Sequence, residues 1–246
     1  MEEQVKRLVD KVWNKFLKTP KDSRLLIAIG GVPGSGKTTL SQLVTAALNA
    51  RYAAASSPPS SGPPASSASP IAAFVPMDGY HLTRAQLSAM PDPATAHARR
   101  GAEFTFDGEG FLRLVRALRE PLTPTSGAIF APSFDHAVKD PKEDDIAVLP
   151  EQRIVVFEGN YVVLDKEPWR SAAALMDERW FVDVDFSVAR KRLARRHVAA
   201  GIAATLEEAD RRAVENDLPN GEEVVRLRLD VDEVVSSRED GTWVHV

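Results

Sequence analysis

The chain contains no cysteine. That excludes disulfides, thiolate-held metals and a cysteine nucleophile together. It has no apolar run near the roughly 20 residues that span a bilayer. Its net charge is small, with 31 Lys and Arg against 35 Asp and Glu leaving −4. That balance is too weak, and of the wrong sign, for a chain that holds nucleic acid or an anionic membrane by charge. The opening MEEQVKRLVDKVWNKFLK lacks the apolar stretch of a secretory signal, and its acids argue against a transit peptide. None of His81, His97, His136, His197 and His245 pairs with another at metal-ligand spacing, so no zinc site is expected. The expectation is a cytoplasmic protein without nucleic-acid or membrane partners. A homodimer stays open.

The 246 residues suffice for one sizeable α/β domain. Val5, Leu8, Val9, Val12, Trp13 and Phe16 recur at helical spacing. RLLIAIG (24–30) is short, apolar and closed by glycine, the pattern of a buried strand, and residues 37–52 continue as a helix. Residues 53–70 then contain only Ala, Ser, Pro and Gly, which cannot bury enough apolar area to offset their ordering entropy. They read as a disordered insertion within a single domain over 1–246, because IAAFVPMD resumes at once as a strand. An interdomain linker is the competing reading. Strands follow at 128–134, 153–159 and 179–185. Helices follow at 110–120, 187–200 and 205–217, and the tail reads as a strand and a hairpin turned at Asp240-Gly241. Strands alternating with helices predict a mainly parallel sheet with helices on both faces.

GVPGSGKT (31–38) fits G-x-x-x-x-G-K-[ST] without a mismatch, between a strand and a helix as that motif requires. Gly31, Gly34, Ser35, Gly36, Lys37, Thr38 and Thr39 are therefore the candidate phosphate-binding residues. The glycines let backbone N–H groups turn inward around phosphate oxygens, and the following helix offers its positive end to the same anion. Lys37 would reach the β- and γ-phosphates, and the Thr38 hydroxyl would hold Mg²⁺. A guanine-specific [NT]-K-x-D element and an LSGGQ-like signature are both missing. Instead, short strands end in carboxylates: FVPMDGYH places Asp78 at one strand end and VVFEGNY places Glu158 at another. In an open α/β sheet, ligands bind beyond the carboxyl ends of the strands. One acid can then take a proton from an attacking hydroxyl while the other organises Mg²⁺. Each could instead cap the turn that follows it.

Over roughly residues 24–235 the order of these elements resembles the uridine kinase / phosphoribulokinase superfamily. The segments that carry the likeness are the phosphate loop, MDGYHL, GAEFTFDGEGF, FDHAVKD, EGNYVVLD and an arginine-rich helix; they look most like the branch near bacterial pantothenate kinase. The resemblance implies a P-loop fold with a helical lid over 187–217, ATP and Mg²⁺ as cofactors, and a small-molecule acceptor hydroxyl on a nucleoside, vitamin or sugar. It implies Asp78 as catalytic base, Glu158 beside Mg²⁺, and Asp107, His136 and Asn160 on the acceptor side. Phe134 stands where the family has a tyrosine, which weakens typical uridine recognition. His81 would line the acceptor pocket or lie on the surface.

ARKRLARR carries Arg192, Arg195 and Arg196 on one helical face, suited to covering a phosphoryl group in transit. The bland alternative is a solvated cationic face paired with LEEAD, the next acidic run. ENDLPNG (215–221) reads either as a helix end or as a segment that lets Asn216 or Asn220 touch a ligand. Lys37, Asp78 and the three arginines make a kinase the leading reading. The alternative is a nucleotide-binding regulatory or scaffold protein with vestigial kinase activity.

Overall fold

Every residue of the first strand is buried, and its side chains alternate between two cores. That double burial organises the whole chain. The structure, a computed structural model, describes residues 1–56, 69–135, 137–238 and 243. Helix α1 (Glu2–Phe16) buries Leu8, Val9, Val12, Trp13 and Phe16 on one face. Strand β1 (Leu25–Gly31) leads through the phosphate loop into α2 (Lys37–Ser56). The expected insertion thus begins later than residue 53. Ala53–Ser56 continue α2, because an alanine-rich run sustains a helix once one is nucleated. Residues 57–68 of that insertion lie outside the described residues, as does the expected turn at Asp240-Gly241.

Strand β2 (Ala72–Pro76) ends in a 3₁₀ turn over Met77–Tyr80. Three helices follow: α3 (Arg84–Ser88), opened by a capping box of Thr83 and Gln86; α4 (Pro93–Ala98), capped by Asp92; and α5 (Gly108–Arg119), capped by Asp107. Strands β3 (Ile129–Asp135) and β4 (Asp140–Val148) form an antiparallel hairpin apart from the main sheet. Next come β5 (Ile154–Gly159), α6 (Trp169–Ala173), β6 (Glu178–Asp183) and α7 (Phe186–Ala199). Then α8 (Leu206–Arg212) passes through a π-helical turn at Ala213–Asp217 into α9 (Leu218–Arg226), before β7 (Glu233–Ser236). ENDLPNG is therefore helical throughout. Pro219 is the second residue of α9, directly after the π-helical turn, so its missing N–H coincides with the change of hydrogen-bond register there.

The main sheet runs β2-β5-β1-β6-β7, with every pairing parallel. On one face Leu26, Ala28, Val75, Phe157 and Phe181 pack against Phe111, Tyr161 and Trp169. On the other, Ile27, Ile29, Val156, Trp180 and Val182 meet residues of α1 and α2, including Val12, Leu40 and Val44. Both faces being covered is why the strands read as continuous apolar runs. Glu178 begins β6 almost fully buried and is held by Lys11, Lys15 and the Trp180 indole N–H, so α1 is tied to the sheet by charge as well as by packing.

β1 lies between β5 and β6, which makes it the strand from which the chain winds in both directions. The crevice at such a point, beyond the carboxyl ends of the strands, is where doubly wound sheets place ligands. No helix among the described residues is long and apolar enough to cross a membrane.

Candidate active site

The register of the sheet brings the two strand-end acids to the phosphate loop. Glu158 pairs in register with Ile29 of β1 on one side and Pro76 of β2 on the other, and Asp78 follows Pro76 by two residues. Gly34 and Gly36 have φ of +80° and +86°, in the left-handed region glycine alone enters freely. A Cβ at Gly34 would also meet the Ala189 carbonyl of α7 at 2.8 Å, and one at Gly36 the Trp243 carbonyl at the same distance. The loop is thus curled and enclosed between α7 and the C-terminal segment. Ser35 is buried inside it.

Lys37 opens α2 with its Nζ 3.8 Å from Glu158 Oε1 and 3.5 Å from the Val32 carbonyl. Burial pushes the Lys37 ammonium down from its ordinary range, while the Glu158 charge opposes that. Burial likewise pushes the Glu158 carboxyl up, to about 7; Lys37 and a hydrogen bond from Thr38 pull it down, and the negative charge of Asp78 pushes it further up. Asp78 is exposed at the cavity mouth, and its carbonyl accepts from His81 Nδ1 at 2.8 Å.

Two cavities flank the loop. The larger, of about 600 Å³, is lined by Lys37, Thr38, Asp78, His81, Glu158 and Asn160, and beyond them by Arg100, Phe106, Phe134, Lys139, Arg212, Asp217 and Asn220. The smaller, of about 290 Å³, lies between the loop and α7 and is lined by Gly34, Gly36, Thr39, Arg192, Leu193, Arg195 and Trp243. Lys37, Thr38 and Arg196 line both, so they stand at the junction. His81 forms one wall of the larger cavity, its ring 4.0 Å from that of Phe106 and 4.8 Å from that of Phe134.

The arginines of α7 separate into different environments. Arg196 faces both cavities, whereas Arg195 lines the smaller one alone. Arg192 donates to the Ser237 hydroxyl at 2.8 Å and the Arg238 carbonyl at 2.6 Å, and approaches the carbonyls of Gly34 and Ser35, so it ties α7 to the loop and the C-terminal segment. Arg190 pairs with Asp210 of α8 at 2.5 Å, the pairing with LEEAD that the bland reading of this helix foresees. Asp107 lies apart from the larger cavity's lining: its carboxylate caps α5 through the Gly110 N–H at 2.8 Å and sits 3.4 Å from Arg113. His136 lies outside the described residues. Asn220 reaches the larger cavity, while Asn216 donates to the Arg100 carbonyl behind it.

No motif assigns Arg100 or Arg212 to the site, and Lys139, though it lies within FDHAVKD, carries no role there. Each comes from a separate segment, and the only local signal is the pair Arg99-Arg100 before Gly101. Nor does any spacing pattern place Trp243 against the loop.

A curled glycine loop on a helix N-terminus at the switch point of a parallel sheet, with a buried lysine and strand-end carboxylates, defines a P-loop nucleotide-binding protein. No protein-family profile matches the chain. It is 58% identical over 167 residues to the ATP-dependent kinase-like protein notR' of Aspergillus versicolor, covering 68% of this chain and 95% of that one. It is 41% identical over 212 residues to a Schizosaccharomyces pombe protein provisionally named a uridine kinase, covering 86% and 83%. Among solved structures, a Silicibacter kinase provisionally assigned to a fructose transport system superposes with a TM-score of 0.76 at 32% identity, over 94% of this chain and 98% of that one. The chain belongs to the uridine kinase-like family of ATP-dependent P-loop kinases.

Proposed function

We propose that the protein transfers the γ-phosphoryl group of ATP, with Mg²⁺, to a hydroxyl of a small metabolite. The observation that carries this reading is the junction of the two cavities, where Lys37, Thr38 and Arg196 line both and Asp78 and Glu158 line the larger beside them. The smaller cavity suits the nucleoside end of ATP, and the larger one the acceptor.

The donor set fits Mg²⁺. The Thr38 hydroxyl and the Glu158 carboxylate are hard oxygen ligands beside the phosphate loop, joined by a hydrogen bond. Mg²⁺ is usually held by one or two such protein groups plus phosphates and water. Bound there, the ion would neutralise charge on the β- and γ-phosphates. Lys37 and the backbone N–H groups of residues 34–38 orient the same phosphates. Asp78, exposed at the cavity mouth, takes the proton from the acceptor hydroxyl. The hydroxyl oxygen forms the new bond to γ-phosphorus as the bond to the β–γ bridging oxygen breaks, and ADP leaves. Arg196 stabilises charge spread over the equatorial oxygens. Uridine and fructose, the molecules in the relatives' names, both offer hydroxyls for such chemistry.

Acceptor-dependent ADP release across a panel of sugars, vitamins and nucleosides tests the proposal. Asp78→Asn is expected to lower kcat on the responding acceptor by about 10²- to 10⁴-fold with the KM for ATP little changed. Unchanged turnover would remove Asp78 from the role of base. ATP binding without any acceptor-dependent release would favour the regulatory alternative.

A further inference from the structure

Apart from the residues around the phosphate loop, the lining of the larger cavity carries more cations than carboxylates. Around the loop, Lys37 and Arg196 are matched by Asp78 and Glu158. Beyond them stand Arg100, Lys139 and Arg212, against one lining carboxylate, Asp217. Asp217 is already engaged by His197 Nε2 at 2.8 Å. Arg100 shares Asp140 with Arg84, so two guanidinium groups meet a single carboxylate. Arg212 makes no ion pair among the described residues. The Nε atoms of both Arg100 and Arg212 are buried without a hydrogen-bond partner. An unused donor shielded from water is costly, and a planar fork of this kind matches a carboxylate or phosphate.

Arg100 is held in place rather than trailing in solvent. Arg100 donates to the Leu82 carbonyl at 3.0 Å and the Lys139 carbonyl at 2.6 Å, with its guanidinium 5.5 Å from the Phe134 ring centre. Its own carbonyl accepts from Asn216, and Arg99 beside it donates to Asn220 at 2.8 Å. Arg212, Asn216 and Asn220 recur one turn apart, so one stripe of the α8–α9 segment faces the 99–101 loop.

We propose that the acceptor carries an anionic group, a phosphate ester or a carboxylate, seated between Arg100 and Arg212, with its hydroxyl directed to Asp78 and its body along His81, Phe106 and Phe134. This rests on the phosphoryl-transfer reading above and narrows its substrate class.

The test uses the full chain saturated with a non-hydrolysable ATP analogue and Mg²⁺, so that the phosphate loop is occupied. Calorimetric titration with matched polyols of three to six carbons, each as the neutral compound, its phosphate ester and its carboxylic acid, compares the three classes directly. One anionic class is expected to bind and the neutral polyols not. Arg212→Gln should weaken that binding roughly 10- to 100-fold at an unchanged thermal midpoint. Arg212→Lys, which keeps the charge and loses the fork, should fall between. Preference for the ester or for the acid identifies which anion is read. ADP release is measured on the same compounds with ATP. Efficient turnover of neutral acceptors overturns this inference and leaves the kinase reading standing. Arg212-dependent anion binding without turnover of any compound supports the anion site and counts against the kinase reading. Anion binding insensitive to Arg212→Gln, or no binding by any anion, overturns the inference.

Discussion

Glu158 sits where three influences compete: burial favours its neutral form, Asp78 adds to that, and Lys37 and Thr38 oppose it. The sign of the consequence is definite. A carboxyl raised from 4.5 to about 7 on folding leaves the native state holding the proton that the unfolded chain has released. Its contribution to stability is full below pH 4.5 and is lost as pH rises through 7. Without nucleotide, denaturant unfolding at pH 5 and pH 8 should show this loss, up to about 3 kcal/mol. Glu158→Gln should flatten the difference; an unaltered pH slope in that variant would place its origin elsewhere. The strand end, the acid and the glycine loop could all be read along the chain. That Glu158 would be buried beside Lys37 could not, because it depends on β5 pairing with β1 on one side and β2 on the other.

At the scale of elements, α7 divides its cations by face. Sequence spacing groups Arg192, Arg195 and Arg196 correctly on one side of a helix. Spacing does not say what that side meets. The tertiary contacts give Arg192 to backbone carbonyls, Arg195 to the smaller cavity and Arg196 to both. Arg196→Ala is therefore expected to lower turnover by about a thousandfold, as loss of a phosphoryl-facing arginine does elsewhere. Arg190→Ala, which removes a surface pair with Asp210, should leave kcat/KM unchanged. Steady-state kinetics on the two variants separates a clamp at one position from a diffuse electrostatic field, under which both would lose activity. The π-helical turn at Ala213–Asp217 belongs to the same division. Arg212 before it and Asp217 at its end both line the larger cavity, and ENDLPNG contains no pattern that announces the turn.

For the whole molecule, the sheet is the reference to which every site residue is tied, and its two cores set how firmly. Phe111 is fully buried and packs edge-on to Phe157 at 5.4 Å and beside Trp169 at 5.4 Å, beneath the strands whose ends carry Asp78 and Glu158. Phe111→Ala should cost about 3–5 kcal/mol of stability through the lost transfer energy and the cavity left behind. A lowered urea midpoint with an unchanged slope would show this. ATP affinity should persist in the fraction that remains folded, since no cavity-lining residue is touched.

The amino-acid sequence by itself determined the phosphate loop, the alternation of strands and helices, and the acids at the strand ends. These depend on local spacing and backbone preference, which are written in consecutive residues. It misjudged where the chain leaves α2 and what ENDLPNG becomes, because helices are extended or diverted by what they pack against. Only the tertiary structure decided that Arg100, Lys139 and Arg212 line one cavity, that Asp107 caps α5, and that Trp243 packs against the loop. Those facts arise from contacts between residues far apart in the chain, where charge and burial depend on neighbours that no local pattern names.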